Sequence, residues 1–460
     1  MTSKSRPWAK ALVLASIAFL VLVAVLFISP PARAQVLYGG LVGTVTDPQG
    51  GVLPGVTVTI TNVGTGLTLE TITDDTGNYV FRNLLPGTFD MTLALEGFTT
   101  MRRTGITVIA GTPRREDVRM ELGAPTETVT VSAGAISLQT ETSDLTTEIT
   151  GQQLVSLPLN QYRNYQTLLN LVPGATPVQF QNAEIDTPGR SLRTWVNGVQ
   201  PNANTTRVDG AVSINVWLPH HAGYIQPAET IETVNITTNT FDADTGFAAG
   251  AAQTVITKSG TNEFHGSAFW FFNGDELNAN SFANNASNIE EAPLSRHIYG
   301  GTLGGPIVKD KLFFFGSYEN FRDRRGTQAT YVVPTEKMKA GDFTEVKDAR
   351  SNFFLYDPLS SKTPADRQEF PDYKIPGNLI DPIAKRIMAL YPNVNTDVDV
   401  NRNGLFDDYV QQREIKVDRA NYDLKITWQR NTSHSVWGKF SMLDADVVDN
   451  FILGWDEGSL

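Results

Sequence analysis

The stretch Asn421-Tyr422-Asp423-Leu424-Lys425-Ile426-Thr427-Trp428-Gln429 alternates in polarity without a break. Successive side chains of an extended chain point to opposite faces. Tyr422, Leu424, Ile426 and Trp428 therefore share one face, and Asp423, Lys425 and Thr427 the other. A second run follows, in which Val436, Gly438, Phe440 and Met442 alternate with Ser435, Trp437, Lys439 and Ser441. A strand that crosses a bilayer needs about 9–11 residues, apolar outward and polar inward, with aromatic residues at both interfaces. Strands of a soluble β-sandwich alternate in the same way, so the alternation alone leaves both architectures open.

Moving outward, similar runs occupy 266–273, 296–307 and 311–321, and residues 263–460 hold 28 of the 44 aromatic side chains. An aromatic-rich architecture therefore begins near 263. Between 322 and 419 the pattern lapses into a stretch rich in Asp and Pro, with Pro334, Pro358, Pro364, Pro371, Pro376, Pro382 and Pro392. A loop of that length is unusual inside a compact soluble domain but ordinary on the outer side of a large membrane barrel.

Toward the N-terminus, 35–123 reads as short strands between turns. Val56, Val58 and Ile60 alternate with threonines, Phe89, Met91, Leu93 and Leu95 with small or polar residues, and Val118, Met120 and Leu122 repeat the pattern. Asp47-Pro48-Gln49-Gly50, Asp74-Asp75-Thr76-Gly77 and Pro86-Gly87 supply turn chemistry. This predicts a β-sandwich. A linker at 124–135 leads to a mixed region over 136–262. There Tyr165, Leu168, Leu169 and Val172 predict a helix over 163–172, stopped by Pro173-Gly174, and short strands are predicted at 230–237 and 252–257.

The whole chain has 460 residues, 37 Lys+Arg, 49 Asp+Glu and no cysteine. That length predicts two to four domains. The formal charge of −12 argues against a nucleic-acid partner, and the missing thiols exclude a disulfide scaffold, a thiolate metal site and a cysteine nucleophile. Residues 1–34 combine Lys4, Arg6 and Lys10 with an apolar run over 11–28 and Ala32-Arg33-Ala34. This is the order of a secretory signal peptide cleaved between Ala34 and Gln35. The competing reading is an uncleaved anchor, since the run is nearly long enough to span a bilayer. An exported chain would carry 33 basic against 49 acidic side chains.

Two resemblances follow from motifs in order. Gly43-Thr-Val-Thr-Asp47, Leu53-Pro-Gly-Val-Thr-Val58, Thr73-Asp-Asp-Thr-Gly-Asn-Tyr-Val-Phe81 and Leu85-Pro-Gly87 resemble the carboxypeptidase regulatory-like domain, an accessory sandwich without peptidase activity. Val196-Asn-Gly198, Val208-Asp-Gly210, Glu229-Thr-Ile-Glu232, Val255-Ile-Thr-Lys-Ser-Gly-Thr-Asn262 and Phe264-His-Gly-Ser267 resemble the plug of TonB-dependent outer-membrane receptors, of the Oar-like type. The barrel onset at Tyr299-Gly-Gly-Thr-Leu-Gly-Gly-Pro-Ile307 and Lys309-Asp-Lys-Leu-Phe-Phe-Phe-Gly-Ser-Tyr318 agrees. The resemblance implies a mainly β protein of the cell outer membrane. Its parts would be an N-terminal sandwich and an α+β plug on the periplasmic side, then a barrel of about 22 strands, a size the general rules allow. Residues 263–460 supply only its first strands, with a long outer loop at 322–419, so the chain is expected to be a fragment or a truncated product.

By that resemblance Glu127, Thr128, Val129, Thr130, Val131, Ser132 and Ala133 look like a TonB box. Such a segment pairs its backbone with a partner strand, so the partner expected is TonB of an inner-membrane energising complex. A plain linker or first plug strand is the alternative. Asp399, Asn401, Asn403 and Asp407, around Gly404, space oxygen ligands as a calcium loop does, but Val410 stands where an EF-hand needs glutamate. An Asx-rich turn competes with calcium there, and no other cofactor is expected. His220 and His221 read as an ordinary loop and His265 as structural. No nucleophile, phosphate-binding loop or zinc pattern is legible, so no catalytic site is expected.

The expected function is a receptor that binds an extracellular ligand and imports it in a TonB-energised step. A structural or adhesive envelope protein of the same fold is the alternative, and a secreted enzyme the third reading. Siderophore, saccharide, peptide and protein cargo all fit.

Overall fold

A computed structural model describes residues 38–123, 128–132, 145–157, 159, 162–180, 191–215, 217, 222–240, 248–282, 285, 291–396, 399, 403–432 and 434–449. The strands in chain order are β1 (Gly39–Thr46), β2 (Thr57–Asn62), β3 (Thr68–Ile72), β4 (Asn78–Leu84), β5 (Gly87–Ala94), β6 (Thr100–Val108), β7 (Pro113–Arg115), β8 (Val118–Arg119) and β9 (Thr128–Ser132). Then come β10 (Leu145–Thr150), β11 (Gln179–Phe180), β12 (Leu192–Arg193), β13 (Thr205–Val208), β14 (Ala211–Val212), β15 (Ile231–Asn239) and β16 (Ala252–Thr257). The last five are β17 (His265–Gly274), β18 (Leu294–Val308), β19 (Leu312–Val332), β20 (Asp408–Asn431) and β21 (His434–Asp449).

The first nine strands form two sheets, β4-β1-β7 with β8 also on β1, and β3-β2-β5-β6-β9. Val56, Val58, Ile60, Phe89, Met91, Leu93, Val118 and Met120 are buried between them, as the alternation requires, whereas Leu122 is exposed. Each such side chain contributes about 1.5–3 kcal/mol by leaving water. Turn chemistry fixes the registers. Asp74 Oδ1 accepts from the Thr76 and Asn78 amides, both at 2.9 Å, and from the Thr76 hydroxyl at 2.6 Å. These bonds hold its carboxyl below the usual range.

The mixed region folds as the sheet β10-β15-β16-β13-β14 with the small pair β11-β12. The expected helix exists as a shorter 3-10 turn, Tyr165–Leu171, capped by the Asn164 side chain on the Gln166 amide at 2.8 Å. Tyr165, Leu168, Leu169 and Val172 are buried as the spacing requires, although the turn is wound more tightly than an α-helix. β15 and β16 lie where strands were expected.

The last five strands form one antiparallel up-and-down sheet, β17-β18-β19-β20-β21. Its polarity is inverted relative to a soluble protein. On β20 Tyr422, Leu424, Ile426 and Trp428 are 40–46% exposed, while Asn421, Asp423 and Lys425 are buried. On β21 Val436, Phe440 and Met442 face outward in the same way. The sheet turns its charges toward the plug and its apolar side chains away.

Two sequence boundaries need correction. The outer loop is not 322–419, because β19 and β20 remain paired out to Val332↔Asp408, which leaves 333–407 as the connection. Beyond Asn421 the outward face of β20 turns polar, and pairs such as Arg324–Asp418 at 2.5 Å replace lipid-facing side chains. The hairpin continues after leaving the apolar band with its alternation reversed, Ile415 and Val417 packing inward with Tyr162 and Phe321 while Glu414, Lys416 and Asp418 lie on the other face. Residues 128–132 are also not linker, since β9 is the fifth strand of a sandwich sheet.

The sandwich rests on the other two parts. The Asn262 amide donates to the Gly64 carbonyl at 2.9 Å, and the Asn262 side chain both donates to Asp310 Oδ1 at 2.7 Å and accepts from the Asp310 amide at 2.8 Å. Asn235 Nδ2 donates to the Ala110 carbonyl at 3.1 Å. Gly260 is required at the join of plug and wall, because a Cβ there would lie 2.3 Å from the Phe314 carbonyl oxygen.

Candidate functional site

The plug–wall interface is built around the turn that links β13 to β14. Asp209 and Gly210 both adopt positive φ, 48° and 81°, which aims the Asp209 carboxylate out of the turn. Asp209 Oδ1 accepts from the Thr257 amide at 2.9 Å and from Lys425 Nζ at 3.1 Å, and Oδ2 from the Thr257 hydroxyl at 2.5 Å. Lys439 Nζ lies 3.7 Å from Asp209 Oδ2 and 3.8 Å from Asp423 Oδ1. Two carboxylates thus face two ammonium groups, and the cluster is neutral. Lys425 also sits 5.4 Å from the centre of the Trp437 ring.

A plug tyrosine extends the cluster. Tyr224 donates to Asp423 Oδ2 at 3.1 Å and accepts from Asn421 Nδ2 at 3.0 Å. Burial, with Asp423 beside it, pushes the Tyr224 phenol far above its usual range, so the hydroxyl keeps its proton and remains a donor. Lys439 Nζ donates to Gln226 Oε1 at 2.8 Å, and the Ser441 hydroxyl to Asp423 Oδ1 at 2.5 Å.

A second contact lies further along the wall. Arg163 pairs with Glu229 Oε1 at 3.0 Å and stacks over Phe269 and Phe271, 5.1 and 4.2 Å from the ring centres. Tyr162 packs against Phe321 with ring centres 5.1 Å apart. Aromatic and guanidinium faces together seat the plug against β17 and β19.

The segment 127–133, where the sequence suggests a TonB box, is described in part. Thr128, Val129, Thr130, Val131 and Ser132 form β9, which pairs in parallel with β6 from Thr100↔Thr128 to Thr104↔Ser132. Glu127 and Ala133 lie outside the described residues, as do Ala34, Gln35, His220 and His221. His265 is bonded locally, its Nδ1 3.1 Å from the Glu263 carbonyl oxygen and 3.3 Å from the Thr261 hydroxyl.

The oxygen-rich loop is also partly visible, Asn401 being outside the described residues. Asp399 Oδ1 accepts from the Asn403 amide at 2.9 Å and Oδ2 from the Gly404 amide at 2.8 Å, while Asn403 Nδ2 donates to Asp407 Oδ1 at 2.9 Å. Among the described residues no group of three or more His, Asp or Glu side chains is placed to hold a metal ion.

The pairing of Asp209 with Lys425 and Lys439 is not legible in the sequence, which shows only that both lysines stand on the polar faces of their strands and that Asp209 belongs to a motif. A charge facing the inside of a wall needs a counter-charge, but which turn supplies it is a matter of tertiary structure.

Comparison with known proteins agrees with this architecture. Residues 256–459 match the outer membrane beta barrel domain family, and residues 40–121 the carboxypeptidase regulatory-like domain family. The TonB-dependent transporter Oar of Myxococcus xanthus is 28% identical over 309 residues, which cover 62% of this chain and 28% of that protein. The chain therefore spans less than a third of the curated relative it matches. Among solved structures, the siderophore receptor PirA of Acinetobacter baumannii aligns at 16% identity with a TM-score of 0.32, covering 66% of this chain and 32% of that one. A ferric enterobactin receptor (PfeA) mutant from Pseudomonas aeruginosa aligns at 14% identity with a TM-score of 0.32, covering 67% and 34%. These relatives are a transporter and receptors, not enzymes.

Proposed function

We propose that the chain is a TonB-dependent outer-membrane receptor of the Oar-like type, which binds a ligand at the cell surface and imports it when TonB acts on residues 127–133. Its place is the cell outer membrane. The observation that carries the reading is the inverted wall, whose buried Lys425 and Lys439 close on a plug aspartate while Ile426 and Trp428 face away. Such a wall is stable only with lipid on one side and a polar filling on the other.

In this reading the plug is a stopper held by few, strong contacts. A pull on the segment before it has to separate Asp209 from Lys425 and Lys439, and Arg163 from the β17 rings. Loss of one partner from a buried ion pair costs about 3–5 kcal/mol, enough to keep the path shut at rest. The polar groups thereby uncovered would line a wet passage that suits a hydrophilic cargo.

The test is capture of the chain by the purified C-terminal domain of TonB, comparing the parent with Val131→Pro, which removes a backbone donor. The parent is expected to be retained and the variant lost, with equal outer-membrane insertion. A parent that inserts but is not retained would leave only the structural role.

A further inference from the structure

We propose that the accessory sandwich stores the TonB-binding segment as its own edge strand, so that TonB must displace β9 from β6 before it can pull. The inference rests on the reading of 127–133 as that segment and adds its regulation.

Strand addition needs the backbone donors and acceptors of the box, and one row of them is already engaged by β6 through five consecutive register positions. The two strands are held very differently. β6 is fixed within the sandwich: Arg103 pairs with the buried Glu116 at 2.5 Å, Arg102 with Asp90 at 3.0 Å, and Ile106 and Val108 are in the core. β9 contributes no buried side chain among those described, with Val129 and Val131 43% and 40% exposed. Among the described residues its hold is mainly the ladder, in the parallel sense, which is the weaker pairing. A strand held mainly by backbone bonds exchanges one partner strand for another at little cost, because the incoming strand replaces the same bonds. The sandwich that stores it is anchored to the plug through Asn235–Ala110 and to the β18–β19 turn through Asn262 and Asp310, so β9 moves and β6 stays.

The experiment uses the full chain, which has no cysteine of its own. Met101→Cys/Val129→Cys joins directly opposed residues of β6 and β9, and Thr59→Cys/Thr92→Cys, between β2 and β5, is the control. Oxidised, the first pair should bind the TonB C-terminal domain at least tenfold more weakly than the parent and recover on reduction, while the control binds as the parent in both states. Failure of the first disulfide to form overturns storage. Its formation with unchanged binding overturns competition, leaving the free edge of β9 as the landing site. A parent chain that does not bind TonB removes the underlying reading itself, which is a distinct result.

Discussion

Asp209 and Lys425 are 216 positions apart in sequence and 3.1 Å apart in the fold, one in a plug turn and the other on the inner face of the wall. With Lys439 and Asp423 they form a buried set that balances to zero. Removing Asp209 alone leaves two ammonium groups, Lys425 and Lys439, with only the Asp423 carboxylate between them to balance. Asp209→Asn is therefore expected to loosen the plug by about 3–5 kcal/mol, read as earlier proteolysis of 205–257 at a fixed urea concentration. The double variant Asp209→Leu/Lys425→Met should lose less than either single change, since it leaves Lys439 paired with Asp423.

The outward face makes the opposite demand. Ile426 is 41% exposed between two inward neighbours. Ile426→Arg is expected to cost about 2–4 kcal/mol if the site lies near the midplane. The measurement is the heat-modifiable, folded fraction on a gel after refolding into vesicles. Thr427→Ser, one step along on the inner face, should leave that fraction as it is.

Tyr79 tests the sandwich. Its hydroxyl donates to the Glu116 carbonyl at 2.6 Å inside the core. Tyr79→Phe leaves that carbonyl unsatisfied and should destabilise the domain by about 1–3 kcal/mol, seen as a lower urea midpoint for loss of its strands.

The outer connection carries a pH response. Asp342 accepts from the Thr344 hydroxyl at 2.7 Å and amide at 3.0 Å and pairs with Lys374 at 3.1 Å. The Thr344 bonds, then Lys374, bring its carboxyl from 3.8 to about 2. A depressed carboxylate stabilises the fold fully above its unfolded value, and the effect is lost as pH falls through the folded one. Amide exchange around 341–345 should be flat from pH 7 to about 4, after correction for intrinsic rates, and accelerate toward pH 2. Asp342→Asn should exchange fast throughout.

Much of this was legible because an alternating strand has two unlike faces. Tyr422 to Trp428 and Val56 to Ile60 both declared such strands, and the aromatic content of 263–460 with the order of its motifs, not the alternation, pointed to a membrane wall. The same rule failed where its premise did. Over 414–418 the alternation is reversed, with Ile415 and Val417 buried on the inner face and Glu414, Lys416 and Asp418 outward, so the lipid-facing pattern does not mark it. The segment 128–132 is a strand held by backbone bonds, which sequence does not encode. Asp209 was visible as a motif member, but its partners come from strands more than 200 residues away, and only folding brings them together.

The long hairpin has a consequence of its own. From Asp408 to Ala420, β20 climbs for roughly 40 Å along its length at about 3.3 Å per residue after the apolar band has ended, and β19 runs beside it. The connection 333–407 is thus mounted on a mast, at the opposite end of the wall from the sandwich. Its reach puts 333–407 clear of the headgroup layer, where a bulky object such as an antibody fragment can touch it without entering the bilayer.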